Sequence, residues 1–268
     1  MQQRPYSVFH QLFAYLRYWF SAKNGRGHGI HSPFVYSFVR EVLGSRTKEP
    51  DFEPIEKLRA RLNHDQRLVK ISDYGAGSVA GKQQEKTIAT ICKSAAKPPG
   101  LAQVLYRSVK FSGAVKILEL GSSLGISTAY LAAANKTGTV ISIEGDPAIA
   151  ELARGNLSEL GLTNAEVMTG NFDLVLPQLL KSWQPDLVYI DGNHLFAPTV
   201  SYFEQILRVA NADTVVIFDD IHWSPEMERA WKQIRQDARV TATIDLFFLG
   251  YVFFRKEFKE CQHFSIRF

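Results

Sequence analysis

Residues 117–127 read Ile-Leu-Glu-Leu-Gly-Ser-Ser-Leu-Gly-Ile-Ser, an apolar run that leads through small residues into a helical pattern. Small residues at such a turn let a ligand approach the backbone and the N–H groups that begin the helix. Glu144 ends the next apolar run, 23 positions after Gly121, where a carboxylate can accept both hydroxyls of an adenosine ribose. Gly121 and Gly125 lack the Gly-x-Gly-x-x-Gly spacing of dinucleotide binders. The stretch therefore predicts an adenosine-containing ligand and disfavours a dehydrogenase.

Short β-rich runs alternate with longer helical runs from residue 114 onward. The predicted strands are 115–120, 139–144, 166–169, 187–190 and 214–218. The predicted helices between them begin near residues 127, 147, 173 and 196. This alternation is typical of βαβ units and a parallel sheet. Two final runs, 241–248 and 251–254, have only Leu249 and Gly250 between them, which predicts an antiparallel hairpin that turns at these two residues.

Two of the predicted strands end in acidic residues. Asp191 follows the run at 187–190, and Asp219 and Asp220 follow the run at 214–218. The carboxyl ends of parallel strands open on one edge of a sheet, so we expect the three carboxylates to converge. Their mutual repulsion favours a divalent cation such as Mg²⁺, because neither cysteine-rich nor multi-histidine spacing suggests zinc. Aspartate is also a preferred helix cap, so solvated loop acids are the alternative.

Together, the loop, Glu144 and the acidic motifs resemble the class I S-adenosylmethionine-dependent methyltransferases, and among them the catechol-type and sugar-type O-methyltransferases. The resemblance covers about residues 97–255. It implies a Rossmann-like α/β fold: a mostly parallel seven-stranded sheet with a C-terminal antiparallel hairpin, plus an N-terminal helical extension. The positions that it implies for cofactor contact are Glu119, Gly121, Ser122, Gly125, Ser127, Glu144, Asn171, Phe172 and Asp191. For Phe172, plain core packing is an equally good explanation.

The resemblance also assigns roles to the acidic motifs. Metal-dependent members of the family carry Asp-x-x-Lys or Asp-x-x-His after the fourth strand and an acidic pair after the fifth, which here match Asp191 with His194 and Asp219 with Asp220. Asp191, Asp219 and Asp220 are thus the implied metal ligands. His194 stands where catechol-type enzymes have lysine, which leaves the acceptor open. An ordinary histidine, with a pKa near ~6.5, can take a hydroxyl proton at neutral pH, so we expect His194 to be the general base, with His222 as the second candidate.

The N-terminal part carries helical patterns but no motif of known mechanism. Large apolar residues recur at helical spacing over 5–20, and Ser32 followed by Pro33 begins a second predicted helix over 32–43. We expect residues 1–96 to form a helical extension or cap and residues 97–268 to form the methyltransferase domain. The first helix is rich in aromatic residues and precedes Lys23, Arg26 and His28. It either touches a membrane surface or, as we favour, packs on the main domain or on a second subunit of a homodimer.

Composition and net charge limit the class of protein, its partners and its cellular compartment. The chain has 46% hydrophobic and 22% charged residues, as in ordinary globular proteins, and the turn at 73–78 lacks the third glycine of a phosphate loop. Only two cysteines occur, far apart in sequence, which favours a reducing compartment. A net charge of +4 without a basic run argues against nucleic acid as a partner. No apolar run reaches the ~18 to 20 residues of a membrane span, and we expect a cytoplasmic protein.

Three functions fit these observations. The first is metal-assisted transfer of a methyl group from S-adenosylmethionine to a hydroxyl of a small-molecule acceptor. The second keeps the cofactor without the metal, with a histidine or positioning alone carrying the transfer. The third is a catalytically inactive binding protein of the same fold, against which the intact Gly121, Gly125, Glu144, Asp191 and Asp220 count. Nothing in the sequence identifies the acceptor.

Overall fold

The computed structural model describes residues 5–22, 31–72 and 83–268. The predicted turn at 73–78 and the basic residues Lys23, Arg26 and His28 lie outside the described residues. The helices are α1 Val8–Ser21, α2 Pro33–Phe38, α3 Phe52–Leu62, α4 Ile88–Ala95, α5 Pro99–Ser112, α6 Ile126–Ala134, α7 Pro147–Glu159, α8 Phe172–Leu179, α9 Phe196–Leu207 and α10 Pro225–Arg235. The strands are β1 Leu68–Ser72, β2 Gln83–Thr87, β3 Lys116–Leu120, β4 Thr139–Glu144, β5 Ala165–Thr169, β6 Leu187–Ile190, β7 Val215–Asp219, β8 Ala242–Asp245, β9 Leu249–Phe253 and β10 Gln262–Ser265.

Packing divides the chain into two compact units. The central unit consists of residues 46–179, and the terminal unit consists of residues 1–45 together with 180–268. The functional division at residue 96, between an extension and a catalytic domain, stays a prediction.

In the central unit, β4 lies between β3 and β5 and pairs with both in parallel. A second, two-stranded sheet pairs β1 with β2 in antiparallel register. Helix α6 is buried along almost its whole length, as expected for a helix that is largely apolar. Its residues Ile126, Ala129, Tyr130 and Ala133 belong to a hydrophobic cluster of this unit. The central unit thus supplies the loop between β3 and α6 with a rigid, buried base.

In the terminal unit the strands run in the order β10, β8, β9, β7, β6. The pairs β6–β7 and β10–β8 are parallel, whereas β9 is antiparallel to both β7 and β8. With three strands in the parallel group of the central unit and five in the terminal unit, the described residues supply eight strands where the resemblance implies seven. The additional strand is β10, which follows the predicted hairpin. Within each unit the pairing is otherwise the mostly parallel arrangement that the sequence indicates.

The C-terminal hairpin is present, but its turn lies earlier than predicted. The turn runs through residues 246–248, with Phe247 in the left-handed region at φ 71°, while Leu249 and Gly250 lie inside β9. The Asp245 carboxylate accepts the N–H of Phe247 at 2.9 Å and supports this turn. Gly250 serves packing instead, because a Cβ there would lie 2.9 Å from the side chains of Ile221 and Trp231.

The N-terminal helices form as expected, with ordinary caps. Ser32 accepts the N–H of Val35 at 3.3 Å, and Pro33 begins α2, which a π-helical turn, Val39–Leu43, continues. Tyr18 of α1 is buried with Ala22 against Phe247. Within the ranges that the structure describes, none of the helices has both the length and the apolar character needed to cross a membrane.

Candidate functional site

The first candidate site is the loop that leads from β3 into α6 in the central unit. Gly121 and Gly125 both adopt left-handed backbone angles, with φ of 102° and 80°, and Gly125 caps α6. A hydrogen bond from Gly121 N–H to the Ile143 carbonyl, 2.9 Å long, ties the start of the loop to β4. The two glycines are therefore required by backbone angles that other residues adopt with strain. The loop presents the N-terminal end of α6 at its tip.

Below the loop, Glu119 is completely buried. The parallel register places Ser142 of β4 directly beside it, and the Glu119 carboxylate accepts hydroxyl hydrogen bonds from Ser142 at 2.6 Å and from Thr128 of α6 at 2.5 Å. The Ser122 hydroxyl lies 2.5 Å from that of Ser142. These contacts hold the loop between strand and helix. Ser142 and Thr128 were missed in the sequence because their spacing carries no motif, and contact of Glu119 or Ser122 with a cofactor stays a prediction.

Glu144, at the end of β4, faces the same loop. Its Oε2 accepts the backbone N–H of Ser123 at 2.9 Å, and its Oε1 accepts the N–H of Asp146 at 3.1 Å. Burial raises the pKa of Glu144, although these backbone hydrogen bonds oppose the shift by stabilising the charged form. The carboxylate is therefore positioned at the loop tip, and with about four lone-pair sites it keeps acceptor capacity for a ribose hydroxyl.

Of the other cofactor positions implied by the resemblance, Ser127, Asn171 and Phe172 lie in the central unit, whereas Asp191 lies in the terminal unit. Ser127 is buried in the first turn of α6. Asn171 and Phe172 stand at the start of α8, where the Asn171 side chain accepts the N–H of Asp173 at 2.8 Å and Phe172 is half-buried. Asn171 thus shapes the turn into α8. The structure leaves its contact with an adenine ring, and that of Phe172, as predictions.

The second candidate site lies in the terminal unit. One ligand atom each of Asp191, His194 and Asp219 lies within 4.8 Å of the others, and His194 Nε2 is 3.7 Å from Asp191 Oδ1. Asp219, the last residue of β7, is buried. The Tyr189 hydroxyl donates to Asp191 Oδ2 at 3.0 Å and orients that carboxylate. Two of the predicted carboxylates thus converge, as the parallel pairing of β6 and β7 requires.

The cluster contains a histidine where the sequence predicts a third carboxylate, and a metal-binding role for Asp220 stays a prediction. Among the described residues, Asp220 is not a member of this cluster, whereas His194 is. Asp220 follows β7 with φ at 52°, and its N–H donates to the Phe248 carbonyl at 2.7 Å. Asn193 and His194 likewise have positive φ, 67° and 22°, so a sharp turn brings the imidazole back towards Asp191. Strained backbone of this kind is often found at functional sites.

His222, the second candidate for the base, is held between two carboxylates. Its Nε2 lies 3.0 Å from Asp245 Oδ2 and its Nδ1 lies 3.2 Å from Glu228 Oε1. Burial alone would lower the pKa of His222, but the hydrogen bonds to Asp245 and Glu228 outweigh it and raise the pKa to about 9. The imidazole is therefore protonated at neutral pH and cannot accept a further proton. This geometry favours His194 as the base. The contact between His222 and Asp245 could not be predicted from the sequence, because the two residues are 23 positions apart.

The residues present suit both groups that the resemblance implies. For S-adenosylmethionine, the fit rests on the glycine-shaped helix start and on the buried Glu144 carboxylate with acceptor capacity. For a divalent cation, ligands at about 2.1 Å in octahedral geometry lie about 3 to 4.2 Å apart, close to the spacing of the Asp191, His194 and Asp219 atoms. An Asp–His–Asp set suits Mn²⁺ or Fe²⁺ as well as Mg²⁺, since imidazole is a softer ligand than carboxylate.

Known proteins are similar in sequence to the part of the chain that contains both candidate sites. Residues 118–221, which contain the loop, Glu144 and the Asp191–His194–Asp219 cluster, match the family model described as "Methyltransferase domain". A catechol O-methyltransferase of Niastella koreensis is 32% identical over 127 residues, 46% of this chain and 57% of that protein. A catechol O-methyltransferase of Mycobacterium tuberculosis is 34% identical over 108 residues, 40% of this chain and 48% of that protein. The chain thus spans about half the length of these relatives.

A solved structure is similar over a larger share of the chain. An O-methyltransferase from Bacillus cereus in complex with SAH covers 82% of this chain and 96% of its own, with a TM-score of 0.56 and 22% identity. At that identity the similarity shows the fold alone. The family match and the shared fold confirm the resemblance seen in the sequence: residues 118–221 match a methyltransferase domain, and the chain has the class I methyltransferase fold.

Proposed function

We propose that this protein transfers the methyl group of S-adenosylmethionine to a hydroxyl oxygen of a small acceptor, assisted by a divalent cation. The observation that carries the proposal is the Glu144 carboxylate, which backbone N–H groups hold at the tip of the loop inside the methyltransferase domain. Relatives that match this region are named catechol O-methyltransferases, which supports oxygen as the methyl acceptor.

In this proposal the central unit binds the cofactor. Glu144 accepts the ribose hydroxyls, and the N-terminal end of α6 with Ser127 receives the carboxylate of the methionine part. Asn171 and Phe172 lie against the adenine. Glu119 acts from below the loop, because its carboxylate fixes Ser142 and Thr128 and so keeps the glycine turns in place.

The acceptor needs a base. Transfer breaks the S–CH₃ bond of the cofactor and forms an O–CH₃ bond, so S-adenosylhomocysteine, the methylated acceptor and one proton are the products. His194 takes that proton, and the Asp191 carboxylate at 3.7 Å stabilises the imidazolium that results. His222 does not compete for the proton because its two carboxylate partners keep it protonated.

Asp191, His194 and Asp219 are the residues that would hold the cation. A bound divalent ion lowers the pKa of a hydroxyl that it coordinates. Coordination through Nε2 would prevent that nitrogen of His194 from accepting a proton, so ligand and base are alternative roles for His194. Asp191 and Asp219 keep the ligand role in either case.

The experiment measures cofactor binding and then turnover. Calorimetry should show S-adenosylmethionine binding, and release of S-adenosylhomocysteine should appear with a member of a panel of catechols and other hydroxylated small molecules. We expect chelator to abolish turnover and Mg²⁺ or Mn²⁺ to restore it. Asp219→Asn should lose the metal response, whereas Asp213→Asn, at an exposed surface carboxylate, should keep it. Failure to bind the cofactor at millimolar concentration would refute the proposal, and full activity in chelator would remove the metal from it.

A further inference from the structure

Helix α1 leaves a large apolar surface uncovered within the described residues. Phe9, Phe13 and Phe20 are 76%, 70% and 78% exposed. The full set of exposed large apolar side chains on α1 is Val8, Phe9, Leu12, Phe13, Leu16, Trp19 and Phe20. Single exposed apolar residues are ordinary, but a contiguous set of this size marks an interaction surface.

These side chains form one face of the helix. At about 100° per residue they span an arc of about 140°. The residues that pack against the rest of the terminal unit occupy the neighbouring arc, which is made of Ala14, Tyr15, Tyr18 and Ala22. The exposed polar residues His10 and Arg17 border the apolar face on the edge that is away from Tyr15. The packed arc anchors the helix, and Trp19 at the edge of the apolar face adds a contact with Arg267, whose guanidinium carbon lies 5.7 Å from the centre of its ring.

The anchoring is specific. The Tyr18 hydroxyl donates to the Ile266 carbonyl, and the Tyr6 hydroxyl donates to Glu228 Oε2 at 2.8 Å. The N–H of Tyr6 donates to the Trp223 carbonyl at 3.1 Å. Tyr15 also contacts Phe247, with ring centroids 5.1 Å apart. Because hydrogen bonds and rings fix α1 on the terminal unit, the apolar face is held in one orientation, turned outward.

The charge around this face indicates its partner. Arg17 lies in α1, and in the sequence Arg4 precedes this helix and Lys23 and Arg26 follow it, whereas the first acidic residue is Glu41. An amphipathic helix with an aromatic apolar face and only basic charges is typical of helices that lie in the interface of an anionic membrane. A symmetric contact with a second copy would bring two such basic segments together, which is electrostatically unfavourable.

We propose that α1 lies in the surface of an anionic phospholipid membrane, with its apolar face among the headgroups and acyl chains and Arg17 towards the phosphates. This is peripheral contact, and it is independent of the proposed methyl transfer. The arrangement would keep the terminal unit, to which α1 is anchored, at the membrane surface.

The test is sedimentation of the full chain with vesicles, in the absence of cofactor. Vesicles of phosphatidylcholine with about 30% phosphatidylserine should bind the protein at least about tenfold more strongly than phosphatidylcholine alone, and added salt should weaken the binding. The double variant Phe9→Ser/Phe13→Ser should bind at least about tenfold less, because two exposed aromatic rings no longer enter the interface. Arg17→Gln should bind anionic vesicles about fivefold less.

Controls separate this result from misfolding and from self-association. Leu174→Ser removes an equally exposed apolar side chain on α8 and should leave vesicle binding unchanged. Circular dichroism should show the same thermal unfolding for every variant, because the changed side chains are exposed. Absence of binding to anionic vesicles, or equal binding by the double variant, would overturn the proposal. Dimerisation in light scattering that the double variant abolishes, without vesicle binding, would assign the face to a second copy instead.

Discussion

Replacing His222 by glutamine is expected to destabilise the protein in a pH-dependent way. The imidazole joins the Asp245 and Glu228 carboxylates, and Asp245 in turn supports the hairpin turn through the N–H of Phe247. Glutamine keeps hydrogen-bonding capacity but removes the positive charge between the two carboxylates. The loss should therefore depend on whether the wild-type imidazole is protonated.

The size of the effect follows from the pKa. A pKa of about 9 in the folded protein, against an ordinary value of 6.5, corresponds to an upper limit of about 3 kcal/mol, and partial solvent exposure of the ring reduces this to about 2 kcal/mol. Because the folded-state pKa of His222 is raised, its contribution is fully present below about pH 6.5 and is lost as the pH rises through about 9. The neighbouring Tyr6 has its pKa raised to about 12 and does not titrate in that range.

Urea unfolding at about pH 6 and about pH 10 measures this difference. At each pH, the free energy of unfolding of His222→Gln is subtracted from that of the wild type. This difference should be about 2 kcal/mol larger at about pH 6 than at about pH 10. His64→Gln, at an exposed histidine beside α3, serves as the matched control and should show no such change. A wild-type advantage of equal size at both pH values would refute the assignment of a protonated His222 and reopen its candidacy as a base.

Three further predictions concern the candidate sites. Glu144→Gln should weaken S-adenosylmethionine binding about tenfold to 100-fold in calorimetry, because a charged acceptor of the ribose hydroxyls is lost; unchanged affinity would contradict its role. His194→Ala should lower turnover by about 10²- to 10⁴-fold while leaving the cofactor Kd unchanged, and an equal loss in cofactor affinity would argue against a base. Gly125→Ala should destabilise the protein by about 1 to 2 kcal/mol in thermal unfolding, because its φ is 80°. Gly155→Ala, inside α7 with open space around it, should be neutral or stabilising.

The local sequence pattern was sufficient to predict most strands and helices of the α/β region. The strands predicted at 115–120, 139–144 and 187–190 begin and end within one residue of β3, β4 and β6. Helix starts at Pro147 and Phe196 were predicted correctly. Apolar runs, proline at the first helical position and capping aspartate act over a few residues, so they can be read without knowing the rest of the fold.

Prediction was weaker before residue 97, where long-range pairing decides the structure. Residues 1–96 are predicted as a helical extension, but the structure places the two strands β1 and β2 in this part of the chain beside its helices. Residues 83–87 are extended because they pair antiparallel with β1. Polar residues have no strong preference of their own, so the partner strand determines their conformation.

The sequence by itself determined the glycine loop, Glu144 and the acidic strand ends, because each depends on residue type at the end of a strand. Only the tertiary structure decided which of two adjacent aspartates joins the cluster. Successive side chains of a strand point to opposite faces. Among the described residues the cluster with Asp191 and His194 contains Asp219, whereas Asp220, which leaves β7 with a positive φ, is not part of it. Likewise, the residues next to His222 in the sequence do not show that its environment differs from that of His194. His222 is held in its charged form because Asp245 and Glu228, distant in sequence, pack around it and accept its hydrogen bonds.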